Sequence, residues 1–112
     1  MWLFTQRGML SVVRHRERED VLLVRARDRS SLEDFCDKAG VEAVEIERDE
    51  SADYLFRVVC SDAELKAFLS RAVDELDYDN FKTRILTTRG GRWHDALLEV
   101  WRTMRRLQTA SG

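Results

Sequence analysis

The chain has 112 residues, 44% of them hydrophobic and 36% charged, with a formal net charge of −2. That length and balance describe one globular domain (residues 1–112) with a thin core, and exclude a disordered chain. No apolar run is long enough to span a bilayer, the opening Met1-Trp2-Leu3-Phe4 lacks the basic flank of a secretory signal, and a sequence pI near 5.7 argues against a strong phosphate footprint.

Met9 to His15 and Val21 to Arg27 are rich in β-branched and apolar residues around a charged loop, and predict a hairpin. Ser30 and Ser31 offer an N-cap, with Glu33 at capping-box distance from Ser30. Leu32, Phe35, Cys36 and Ala39 then recur at i, i+3, i+4 and i+7, and Gly40 is a natural stop, so a short helix is expected. Val41 to Glu47 alternates strictly and predicts a strand. Asp53 to Cys60 is its expected partner, with Tyr54, Phe56, Val58 and Cys60 on one side and Leu55, Arg57 and Val59 on the other. Ser61-Asp62-Ala63-Glu64 is a second capping box. It opens a helix whose stripe runs Leu65, Phe68, Leu69, Ala72, Val73, Leu76. Asp77 to Leu86 keeps helical spacing through Tyr78, Phe81 and Ile85, and reads either as a continuation or as a kink. After Gly90-Gly91, a last helix carries Trp93, Ala96, Leu97, Val100, Trp101, Met104 and Leu107.

The order β-β-α-β-β-α-α predicts an α+β domain. Short, uncrossed connections give a four-stranded antiparallel sheet in the order 1-2-4-3, a permuted ferredoxin-like arrangement with helices on one face. The other face is then open, and shows Leu23, Arg25 and Arg27 beside Leu55, Arg57 and Val59, with Glu45 and Glu47 at the edge. An even-length first loop adds Arg14 to this face; an odd-length loop adds His15. Three readings compete for it: a solvated surface in which Arg57 and its neighbours pair with Glu45 and Glu47, a protein interface, or a nucleic-acid surface. The last is the weakest, because the strand aromatics fall on the core side, where bases cannot stack on them.

Charge is distributed unevenly. Residues 1–27 hold six basic and three acidic side chains and 80–112 hold seven and two, against four and twelve over 41–79. The basic and acidic parts either neutralise one another or present a basic face to an anionic partner.

No arrangement of side chains meets the needs of catalysis or metal binding. His15, His94, Cys36 and Cys60 lack the close spacing of a zinc site, and both cysteines fall on expected core faces, where a thiolate is disfavoured. They are expected as buried thiols of a cytoplasmic protein, a disulfide being the other reading. No metal or other cofactor is expected. Asp77 to Lys82 is dense in hydrogen-bonding groups. It is either a capped helix end or a small polar site in which Asn80 and Lys82 touch a ligand; an enzyme would need both to converge with His15. Arg102, Arg105 and Arg106 complement the negative end of the last helix. Trp2 either tucks under a helix or anchors an interface.

Trp2-Leu3-Phe4 ahead of Gly8, Ser11-Val12-Val13-Arg14-His15, Leu23-Val24-Arg25-Ala26-Arg27, Ala52-Asp53-Tyr54, Tyr78 with Asn80-Phe81-Lys82, and His94-Asp95-Ala96 before Val100-Trp101 together resemble a family of small uncharacterised bacterial proteins. The resemblance covers nearly the whole chain. It implies a bacterial, cytoplasmic, single-domain protein and carries no activity with it.

The resulting expectation is a non-enzymatic protein-interaction module that self-associates, with Trp2, Leu23, Leu55 and Val59 as interface candidates. The alternative is a binder of nucleic acid or an anionic ligand through Arg25, Arg27, Arg57 and the basic last helix. His15, Asn80 and Lys82 complete the candidate binding residues.

Overall fold

The structure is a computed structural model that describes residues 1–111, excepting the side chains of 110 and 111. Its sheet has five strands where four were expected, because the opening residues are themselves a strand. Trp2–Thr5 (β1) turns through Gln6 and Arg7 into Gly8–Arg14 (β2), and Leu22–Ala26 (β3) returns antiparallel. Met1 extends the β1 pairing: its amino group donates to the Val12 carbonyl at 2.9 Å, and the Val12 N–H donates to the Met1 carbonyl at 2.8 Å.

Arg29–Ala39 (α1) follows. Its cap position is Asp28, not Ser30, and the Ser30 hydroxyl bonds back to the Asp28 carboxylate at 3.2 Å. Leu32, Phe35, Cys36 and Ala39 are buried as their spacing requires. Gly40 ends the helix at φ 78°, a left-handed conformation that glycine adopts without strain. The N–H groups of Gly40 and Val41 both bond the Cys36 carbonyl.

The expected strand Val41 to Glu47 does not form. Ala43–Glu45 is a single 3₁₀ turn, and only Glu47–Arg48 (β4) pairs with the sheet. Each side of that segment mixes glutamate with small or apolar residues, so neither gains by lying on a core. Ile46 alone is buried, while Val44 is 84% exposed.

Phe56–Cys60 (β5) lies between β3 and β4, giving a five-stranded order β1-β2-β3-β5-β4 in place of a four-stranded 1-2-4-3; the four expected strands keep their relative order and β1 is added outside the first. Asp62–Asp74 (α2) is opened by the expected capping box: the Ser61 hydroxyl accepts from Glu64 N–H at 3.1 Å, and the Glu64 carboxylate accepts from Ser61 N–H at 2.8 Å. The α1 and α2 helices pack on each other through Phe35 and Phe68, with ring centroids 5.1 Å apart. Beneath them Leu10, Val12, Leu22, Val24, Ala26, Phe56, Val58 and Cys60 form the sheet side of the core. Glu75, just beyond α2, joins the β1–β2 turn and α1. Its carbonyl accepts from Gln6 Nε2 at 3.3 Å, and its carboxylate lies 3.2 Å from Lys38 Nζ and 3.8 Å from Arg7. Lys38 is buried and also pairs with Asp34.

The chain divides into two compact units, Met1–Asp77 and Tyr78–Gly112. Across that boundary, Asp77 to Leu86 neither continues α2 nor kinks it. Asn80 caps a new helix, Phe81–Arg89 (α3), by accepting from Thr83 N–H at 3.0 Å. Gly90, at φ 84° and ψ −178°, turns the chain directly into Gly91–Ser111 (α4).

Candidate functional site

Cross-strand partners share a side of a sheet. Trp2, Ser11, Arg25, Arg57 and Glu47 therefore stand in one row across all five strands, and Val13, Leu23 and Val59 form a second row beside it. Their neighbours Leu10, Val12, Leu22, Val24, Val58 and Cys60 point the other way, into the core. Arg14 pairs with Leu22 and so lies on the helix side, where it bonds Asp62 at 2.7 Å. The His15 N–H bonds the Val21 carbonyl at 3.0 Å, leaving five residues in the loop, so the odd-length register holds and His15 takes the open side.

Arg25 and Arg57 thus share the open face, and Arg25 and its neighbour Arg27 are tied into the structure. Arg25 donates to the Ser11 hydroxyl at 2.8 Å. Arg25 and Arg27 both lie over the Tyr54 ring, with guanidinium carbons 4.8 and 4.4 Å from its centroid, and Arg27 also donates to the Asp53 carbonyl at 3.0 Å. This corrects the expected phase of the segment before β5. Tyr54 is buried under the arginines instead of joining Phe56 in the core. Leu55, an expected interface residue, packs against the core. The irregular Ser51 to Leu55 segment breaks the alternation there, a shift that strand periodicity does not reveal.

The expected pairing of Arg57 with Glu45 and Glu47 does not occur. Glu47 stands opposite Arg57 without an ion pair, and the Nε atoms of Arg25 and Arg57 are buried with no hydrogen-bond partner.

Aromatics are not confined to the core. Trp2 is 68% exposed, and Phe4 is exposed on the same side through its partner Met9. Among the interface candidates, Leu23 and Val59 sit half-buried in the second row.

The remaining candidates have local roles. His15 Nδ1 accepts the N–H groups of Glu17 and Arg18 at 3.1 and 3.2 Å, which shapes the loop. Asn80 is a cap. The Lys82 ammonium lies 4.3 Å from the Trp101 ring centroid. Cys36 and Cys60 are free and buried, and burial pushes each thiol up to about 11. No group of His, Cys, Asp and Glu among the described residues could hold a metal ion. No helix among them is long and apolar enough to cross a membrane.

Two surfaces were not anticipated. On α4, Val100, Trp101, Met104 and Leu107 are 39, 46, 56 and 61% exposed. The helical spacing was legible, but the degree of exposure along it was not. The second is a cleft of about 630 Å³ along β5, lined by His15, Arg18, Val41, Glu42, Glu47 and Val59 among others.

Comparison with family models, with curated proteins and with solved structures finds no match.

Proposed function

We propose that the protein is a non-enzymatic interaction module that self-associates. One observation carries this reading: four large apolar side chains at helical spacing on α4 are exposed together. Such a stripe is the usual mark of a protein contact. A two-fold pairing of α4 with a second copy would cover eight half-exposed side chains. At roughly 1 kcal/mol each that is about 8 kcal/mol, against an association cost of roughly 4–15 kcal/mol. The contact is therefore weak and concentration-dependent. Arg102, Arg105 and Arg106 flank it, so salt should strengthen it by screening their repulsion. A bacterial, cytoplasmic setting, resting on the sequence resemblance, belongs to the same reading.

The alternative is binding of nucleic acid or another anion on the sheet. It is favoured by Trp2 and Phe4 standing on the side that carries Arg25 and Arg57. It predicts the opposite salt response, since released counterions weaken binding as salt rises.

Sedimentation equilibrium from 10 µM to 1 mM decides the first reading. Mass should rise with concentration, more so in 0.5 M salt, and Met104→Glu with Leu107→Glu should remove the rise. A strict monomer throughout would refute self-association. Retardation of single-stranded DNA at low salt would favour the alternative.

A further inference from the structure

We propose that the outer edge of β5 takes an extended, basic peptide segment of another protein as an added strand. The inference stands apart from the α4 reading, because every residue it uses lies within Met1–Asp77.

The backbone directions follow from the sheet register. Met1 and Val12 exchange both of their hydrogen bonds, so Val12 points its backbone at β1. Backbone direction alternates along a strand, so Ser11 and Val13 point at β3, and the His15 to Val21 bond agrees. Leu23 and Arg25 therefore point at β2, while Leu22, Val24 and Ala26 point at β5. Their partners Cys60, Val58 and Phe56 point back at β3. Arg57 and Val59 are left facing outward. β4 reaches only Phe56 and Arg57, so the N–H and C=O of Val59 lie on an edge with no strand beside them. The residues that would have continued β4 form the 3₁₀ turn Ala43–Glu45 instead.

The cleft lies along this edge. Gly40, Val41 and Glu64 line it together with Leu23, Arg57 and Val59, and the diverging Glu42, Glu45 and Glu47 also face it. Backbone pairing to Val59 supplies the orientation, and alternate side chains of the guest reach opposite walls.

Charge chooses the guest. Four glutamates line the cleft against two arginines, Arg18 and Arg57. Glu42, Glu45 and Glu47 are exposed and take part in no ion pair among the described residues. A segment with lysine or arginine at alternate positions supplies the missing partners, and an acidic one is repelled.

The probe is the acetylated, amidated pentapeptide Lys-Val-Lys-Val-Lys, titrated by NMR and followed by amide hydrogen exchange. It should perturb Val58 to Cys60 and slow exchange of the Val59 N–H. Lys-Pro-Lys-Pro-Lys keeps the charge but loses two backbone donors, and should bind at least tenfold more weakly; Glu-Val-Glu-Val-Glu should not bind. Glu42→Lys with Glu45→Lys alters only exposed, unpaired side chains. It should keep the wild-type melting temperature and lose binding at least tenfold. Equal binding of the proline peptide would show charge alone at work and overturn the strand. Absence of binding at 1 mM, or perturbations confined to other residues, would overturn the site. Protection of Val59 that grows with protein concentration and no peptide would assign the edge to a second copy instead. Sedimentation of the α4 variant reads self-association separately, so either idea can fail alone.

Discussion

Glu47 and Arg57 face each other across β4 and β5, and no ion pair joins them. The Arg57 Nε is buried without a partner, a desolvation cost of roughly 1–3 kcal/mol. Replacing Arg57 by methionine keeps the aliphatic length and removes that cost. Arg57→Met should leave stability unchanged or raise it by about 1 kcal/mol in urea unfolding. A loss above about 2 kcal/mol would mean that the guanidinium contributes more than its visible contacts provide.

Tyr54 is held by its ring. Tyr54→Ala removes the platform under Arg25 and Arg27 and should cost about 3 kcal/mol. Tyr54→Phe keeps the ring and should stay within about 0.5 kcal/mol of wild type. Equal losses in the two variants would assign the effect to the hydroxyl.

At the start of α2, Ser61→Ala removes one half of the reciprocal cap and should cost about 1 kcal/mol. Ser30→Ala, at the position where a cap was expected and is not found, should cost less than half as much in the same unfolding series.

Acid should weaken the fold through two surface carboxylates. The hydrogen bond from Arg14 holds Asp62 below the usual carboxylate range, and bonds from Ser51 do the same for Asp49. Each contribution is fully present above the unfolded-state value near 3.9 and disappears as pH falls through the lower folded value. Melting temperature should therefore drop as pH falls below about 4. Asp62→Asn should flatten that drop, and parallel wild-type and variant curves would contradict the assignment.

Both thiols should be silent in the native protein. With burial raising each to about 11, a disulfide reagent at pH 8 should label neither Cys36 nor Cys60 until urea unfolds the chain. Rapid labelling of either in native buffer would place it at the surface.

Helical elements were legible wherever spacing and caps agreed. Leu32, Phe35 and Cys36 are buried as their period requires, and Ser61 with Glu64 forms the reciprocal cap that its motif announces. Strands were legible where one side is wholly apolar, as for Val24 and Val58. Val41 to Glu47 misled because alternation without an apolar side gives a pattern but no driving force. Trp2–Thr5 was missed as a strand because four residues are too few to show a period. Arg25 and Arg57 do share one side of the sheet. The placement of Arg25 and Arg27 over Tyr54 was hidden by an irregular stretch that shifts the phase by one residue. The β5 cleft left no mark of its own, since it exists only because a neighbouring segment turns away.

The stacking of Arg25 and Arg27 on one ring changes what a count of positive charges means for this molecule. Cations held over an aromatic ring are already partly solvated by it, and a phosphate would have to prise them loose before gaining anything from them. Electrostatic maps drawn from formal charges will therefore exaggerate the pull of this surface on polyanions, while its aliphatic and aromatic ground remains available to less polar visitors.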